Sequence, residues 1–507
     1  MENNPKVPWQ PYAPGSVPPT EQLAFPTGKR EIMFGGLLLL SCFALCNFTL
    51  FGGFNLGFAA AVILCVLCSS GYLLAAGCRP TAYSCCLLGL SIIIAAAFAR
   101  TDDGFVKFIM ICFLLVGINL GLCLMAGQNL RNPGAASSLL DAPRALFQLG
   151  IGRIPEASRG IGQAFRRSGS IGQKGGAFLL GLCIAVPILA IMIPLLISAD
   201  AAFDGLIALL PEFDLQELFA TVVFGAILAC VLYVRGVSLR HSPKETTKQK
   251  SRKGLPAITV NTVLSTVCLL FLAYLMSQLA YFVGGFAGIL PEQYTLAEYA
   301  RRGFFEMAAL CVVNLAVMVL SLGLIHKENR APLLTRLLCL FIGIVTLFLV
   351  ATASAKMFLY IDSYGLTRLR VLTQIIMLFL ALTTVFLMIW LFAPKLPYMK
   401  AILLTALIIG AATAWTDVNT QVARYNVDAY VSGKLDHVDV SYLKSLGSSA
   451  VPQLARLASS ASDQGIAKSA QDYLEHHWTG DDDIRSWNYV NHIAKKHLPQ
   501  EPSNDEA

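Results

Sequence analysis

Apolar residues in this chain come in long unbroken runs, without a polar face at helical or strand intervals. Windows of about 20 residues, the length that crosses a bilayer core, recur near residues 32–51, 54–77, 82–99, 105–127, 176–198, 218–236, 258–284, 302–325, 332–357, 369–393 and 398–415. A membrane strand would alternate and be about half as long. Because hydrocarbon offers no partner for backbone polar groups, continuous apolarity of this length predicts helices. The pattern therefore predicts an all-α polytopic transmembrane bundle of about 11 spans. Residues 1–31 lack any apolar period and are rich in Pro, which predicts a disordered cytoplasmic arm that is not a signal peptide. Residues 32–127 form a first group of spans, 128–175 a basic cytoplasmic interfacial segment, and 176–415 a second bundle.

From 416 to 507 the pattern changes to short amphipathic stretches, which predict a small helical module outside the membrane. Ser449 is placed to cap a helix carrying Val451, Leu454 and Leu457 inward, and Asp463 to cap the next, with Ile466, Tyr473 and Leu474 inward. Ile484, Trp487, Val490 and Ile493 mark a last helix.

Composition agrees with the pattern. Charged residues make up only 14% of the chain and hydrophobic ones 56%, against about a quarter charged in soluble proteins. The net charge of +7 does not point to nucleic acid, because the cations lie in short loops, where they set topology. With the arm inside, about 22 cations fall in inner segments and about six in outer loops, a bias that orients the N-terminus to the cytoplasm and, for an odd number of spans, the tail outside. The 14 cysteines lie in or beside apolar runs and imply no disulfide framework, and Cys65 and Cys68 read as packing residues. Residues 137–170 mix apolar residues with five arginines, which suits a helix lying on an anionic inner leaflet. Residues 198–219 alternate carboxylates with apolar residues and suit the outer interface.

Polar residues within spans are the strongest pointers to function, since hydrocarbon makes them costly. Glu306, Asn314 and Gln374 are of this kind, and Asn314 and Gln374 also suit interhelical hydrogen bonding. The densest polar stretch is 356–371, KMFLYIDSYGLTRLRV. Gly365 can end one helix in a left-handed conformation, and Thr367 can cap the next. Lys356, Tyr360 and Tyr364 share one helical face. The stretch reads either as an interfacial girdle of snorkelling side chains or, with Arg302 and Glu306 on the preceding span, as one assembled polar site of Arg302, Glu306, Lys356, Tyr360, Asp362, Tyr364, Arg368 and Arg370. Such a site would be net positive and would suit an anionic group.

No nucleotide-binding loop, dinucleotide fingerprint, metalloprotease motif or nucleophile with an evident base is present, so no catalytic residue, cofactor or metal is assigned. His476 and His477 beside Asp481, Asp482 and Asp483 read as a solvated helix end. Three functions stay open: an accessory or sensory envelope protein using the tail to dock a protein partner, a secondary transporter or channel for a small anionic solute or lipid headgroup, and a membrane-embedded enzyme on a lipid-linked substrate.

Three stretches carry a resemblance: SADAAFDGLIALLPEFD, TLAEYARRGFFEMAALCVVNLAV and LYIDSYGLTRLRV, followed by KLDHVDVSYLKSLGSSAVPQLARL in the tail. Together they resemble bacterial multi-pass membrane proteins grouped as domain of unknown function 4173 and its relative 4153. The resemblance covers roughly residues 170–460 and implies a membrane bundle in a bacterial envelope, without a reaction.

Overall fold

The computed structural model describes residues 28–128, 192, 215–241, 255–286, 304–325, 332–477 and 483–499. The apolar runs fold as helices: α1 (Lys29–Gly52), α2 (Leu56–Ala75), α3 (Ala82–Ala96), α4 (Gly104–Met125), α5 (Leu215–His241), α6 (Ala257–Phe286), α7 (Phe304–Leu324), α8 (Leu333–Tyr364), α9 (Arg368–Phe392) and α10 (Tyr398–Thr416). Among the described residues these ten are long and apolar enough to cross a membrane. The window at 176–198, the arm, and the basic stretch at 137–170 lie outside the described residues, as does most of the acidic stretch at 198–219. The described residues contain no strand, only an isolated bridge between Leu255 and Ile325. Many large apolar side chains face outward, among them Phe108, Ile258, Leu270 and Leu369. A surface of that kind needs lipid rather than water around it. The protein is a multi-pass integral membrane protein.

Packing follows chain order. Helices α1, α2 and α5 share one core, in which Phe34 stacks on Tyr72 with centroids 4.3 Å apart. A Cβ at Gly236 of α5 would stand 2.8 Å from the Phe34 ring, so this close approach requires glycine. Helices α6 to α9 pack as a second group around Phe271, Cys311, Leu349, Ala353 and Met377. Helix α10 joins the two. Its Leu407, Ala411 and Ala414 pack with Leu87, Phe98 and Met110 of the first group, while Tyr398 and Met399 at its start pack with Ile342 and Leu387 of the second. Helix α4 ends beside α5's last turns, where Gln128 donates to the Leu239 carbonyl (3.0 Å), and α5 begins at the opposite end of the bundle.

The tail folds as α11 (Val418–Val431), α12 (Val440–Ser445), α13 (Val451–Ser460), α14 (Gln464–His476) and α15 (Tyr489–Lys495) around its own apolar core. Val451, Leu454 and Leu457 are buried, and Asp463 caps α14 by accepting from the Gly465 N–H (2.7 Å), as the sequence pattern expects. Two expectations are corrected. Ser449 does not cap α13, because Ala450 takes the cap position and the Ser449 hydroxyl turns to Asp417 (3.3 Å). Ile484 and Trp487 precede the last helix, which Asn488 caps, and Ile484 stands largely exposed. The module sits at the end of the bundle opposite Lys29: the Leu56 N–H donates to the Trp487 carbonyl (3.2 Å), whereas Arg30 reaches the Ala75 carbonyl at the far end (3.0 Å).

Candidate functional site

The corner between α8 and α9 is built from local rules. Helix α8 has 32 residues, about 48 Å at 1.5 Å per residue, and so outruns a hydrocarbon core of about 30 Å. Gly365 ends α8 at φ 75 and ψ −179, an extended positive-φ conformation rather than the left-handed helical one, and equally one that glycine alone adopts readily. Thr367 accepts from the Arg370 N–H (3.4 Å) and caps α9, as expected. Asn426 of α11 holds the corner from outside: its Oδ1 accepts from the Leu366 N–H and its Nδ2 donates to the Leu366 carbonyl, both at 2.7 Å.

The polar residues of the corner divide among three tasks. Arg370 lies over the Tyr360 ring at 4.1 Å and donates to the Tyr364 (3.2 Å) and Gly365 carbonyls, satisfying the open end of α8. Tyr360 and Tyr364 rings lie 5.1 Å apart on the shared face. Asp362 pairs with Lys434 of the module at 2.5 Å, and the carboxylate raises the lysine's pKa. Arg368 crosses to the first helical group and pairs with Asp103 at 2.8 Å. Lys356 stands half-buried in α8 and Glu306 exposed in the first turn of α7, and no ion pair joins them among the described residues. Arg302 lies outside the described residues. Asn314 donates to the Thr346 hydroxyl (3.0 Å) and Gln374 to the Ser354 carbonyl (3.3 Å), both between helices.

Around Arg368 lies a polar layer that the sequence reading missed. Asp103 caps α4 through Oδ1, accepting from Phe105 (2.8 Å) and Val106 (3.1 Å) N–H groups, while Oδ2 takes Arg368. The Arg368 N–H donates to the Tyr442 hydroxyl of the module (2.7 Å). Lys107 reaches Asn55 (3.0 Å) and Asp102 (3.3 Å). Asn488, buried, donates toward Asn55 Oδ1 (3.3 Å) and the carbonyls of Phe98 (3.3 Å) and Thr101 (2.9 Å). Arg485 pairs with Asp483 (2.6 Å) and with Glu217 of α5, which also accepts from Asn47 (2.7 Å). Arg485's backbone N–H and guanidinium hold the Asp483 carboxyl below the usual range. The sequence carried a signal for some of these, since Asp103 before α4 and Asn488 before α15 are ordinary N-cap residues.

Asp417 joins α10 to the module. It is buried at φ 44, its Oδ2 accepts from Thr420 (2.5 Å) and Ser449 (3.3 Å), and its Oδ1 has no partner. Burial raises its pKa, a rise that the two hydroxyls and nearby Arg100 only partly offset. Arg100 itself lies over Tyr489 at 5.2 Å and Trp415 at 5.9 Å. Among the described residues no group of three or more His, Cys, Asp or Glu is arranged to hold a metal. His477, lowered in pKa by burial, meets the Ser448 hydroxyl (3.2 Å), and His476 bonds the Asp472 carbonyl (2.8 Å). The carboxylates of this layer are bound to cations, hydroxyls and helix N-termini, so its chemistry is that of attachment.

The family model described as Domain of unknown function (DUF4153) matches residues 33–457, from the second turn of α1 into α13 of the module. The chain belongs to this family. The match takes in the corner, Asp103, Arg368 and Asp417, so membrane bundle and the first part of the module fall within one family unit. Comparisons with curated proteins and with solved structures returned no match.

Proposed function

We propose that this member of the DUF4153 family is a docking platform of the bacterial envelope: a plasma-membrane bundle that holds a helical module at a fixed height and orientation on the extracytoplasmic face for a protein partner. The observation that carries the reading is that the module is bound to both helical groups at once, through Asn488 to the α2–α4 end and through Tyr442, Asn426 and Lys434 to the α8–α9 corner. A tether alone needs no such seat. Tyr360, Asp362, Tyr364, Arg368 and Arg370 belong to that seat. The cation bias along the sequence supports a cytoplasmic N-terminus, and the arginines of 137–170 suit anionic lipid there. Kinship with domain of unknown function 4173, drawn from the motifs, fits the same picture.

The test is site-specific photo-crosslinking in intact cells from Val431 and Ile484, both exposed on the module. A discrete protein adduct that is lost when Asn488→Asp loosens the seat supports docking. Small-anion flux through the purified protein in liposomes, abolished by Lys356→Met, would overturn it in favour of transport.

A further inference from the structure

At the end of the bundle opposite the module, Arg235 presents a different problem. It lies in α5 six residues before His241, about 9 Å of helix, and only 4% of it is exposed. A buried guanidinium inside a membrane bundle needs an anion beside it, because an unpaired charge there is costly to keep. Among the described residues no carboxylate pairs with it. Glu31, the buried acid at the same end, accepts instead from the Tyr72 hydroxyl (3.3 Å). Of the five N–H groups a guanidinium carries, one Nη2 contact reaches the Asn119 carbonyl at 3.5 Å, the far limit of a hydrogen bond, and the Cys123 thiol takes another. Nε has no partner.

Two further polar atoms are open on the residues next to it, one on Asn119, whose carbonyl Arg235 reaches, and one a turn along α5. The Ser238 hydroxyl, one turn along α5 on Arg235's side of the helix, is buried without a partner, and so is Oδ1 of Asn119, whose Nδ2 is committed to the Leu115 carbonyl. Native interiors rarely leave three such atoms unpaired together. Two are donors and one is an acceptor, beside a fixed positive charge. We propose that Arg235, Ser238 and Asn119 form a binding site for a phosphate oxyanion that carries a hydroxyl, either free hydrogen phosphate or the phosphate of a lipid whose headgroup has a hydroxyl. Phosphate oxygens accept from the Arg235 fork and from Ser238, and the ligand's hydroxyl donates to Asn119 Oδ1. The site is independent of the docking reading, being at the other end of the bundle.

The experiment measures thermal unfolding of the full chain in nanodiscs, where a ligand that binds the folded state raises the melting temperature with the logarithm of its concentration over Kd. One arm adds inorganic phosphate to phosphatidylcholine discs. The other replaces part of the phosphatidylcholine with phosphatidylglycerol at low phosphate. A rise in the first arm identifies the free anion, and a rise in the second identifies the headgroup. Arg235→Gln abolishes the rise, and Ser238→Ala, which keeps the charge, weakens apparent affinity about tenfold. Ser238→Ala carries the test if Arg235→Gln does not fold. No rise in either arm for the unmodified protein, or an equal rise in the variants, overturns the proposal.

Discussion

Asn488 offers the sharpest test of how the module is held. Its Oδ1 accepts from the Val490 N–H at 2.9 Å and starts α15, while its Nδ2 supplies the donors for the Phe98 and Thr101 carbonyls at the α3–α4 turn. Asn488→Ala removes a helix cap, worth about 1 kcal/mol. It also leaves two buried carbonyls without a donor, at about 1 kcal/mol each taking the low end of the range. The loss of about 3 kcal/mol corresponds to a roughly hundredfold shift toward the undocked state. Hydrogen exchange of the Tyr489–Lys495 amides reads this directly, since their protection depends on local opening. Exchange should accelerate by about that factor while amides in the middle of α4 stay as they were. Asn488→Asp separates the two contributions. A carboxylate keeps the cap and loses the donors, so it should open the segment nearly as much as alanine. If Asp restores full protection, capping alone holds α15 and the interhelical carbonyls contribute nothing to docking. That result would refute the reasoning.

Other substitutions test neighbouring parts of the layer. Asp417 has its folded pKa raised by burial, so the native state holds its proton more tightly than the unfolded chain and stability falls as pH rises from the ordinary value of 3.8 through the folded one. Asp417→Asn, which also suits φ 44 better, should raise the melting temperature at pH 8 and lose that advantage near pH 4; a lower melting temperature at pH 8 refutes the account. Gly365→Ala must place a Cβ 2.6 Å from Asn426 Oδ1 at positive φ, and should cost about 1–3 kcal/mol by thermal unfolding in detergent. Glu306→Gln, at an exposed position without a described partner, should change stability by less than about 0.5 kcal/mol, and a larger loss on thermal unfolding would return Glu306 to a built site.

The spans were legible because a bilayer imposes one requirement on every residue of a run, and a run of 20 records it without reference to any other part of the chain. The α8–α9 corner was legible for a similar reason: Gly365 and Thr367 act on backbone within three residues of themselves. Asn314 and Gln374 are recognisable as interhelical hydrogen-bonding residues from their place inside apolar spans. Arg368 is legible as a member of a polar site, but its partner Asp103 lies 265 residues away in sequence. Nothing local points to that pairing, because Asp103 already has a sufficient local reason to exist as the cap of α4. Asn488 is a harder case. Two of its partners are backbone carbonyls, which leave no mark in a side-chain sequence. Arg235 was hidden for the opposite reason, since a window averaged over 20 residues still reads as apolar with one arginine in it.

The placement of the module has a consequence for how the two helical groups are joined. Between them the membrane layer offers α10, whose apolar side chains pack to either side and set no direction strongly. At the module end the same joint is crossed by Arg368 to Asp103, with Tyr442 on the Arg368 backbone and Asn426 on Leu366. A separation of the two groups at this end breaks those contacts, and undocking of the module removes the groups that hold Arg368 in place. Module seating and the joint therefore share one set of contacts, so the coupling between them is reciprocal: what strengthens one favours the other by the free energy of those shared contacts. An Arg368 side chain that is partly exposed and an Asp103 that is almost fully buried give the linkage its polarity. Breaking the pair returns the arginine to water at small cost, whereas Asp103 stays buried and must rely on the two N–H groups of α4. The cost of breaking this pair therefore falls mainly on the buried Asp103 and not on Arg368.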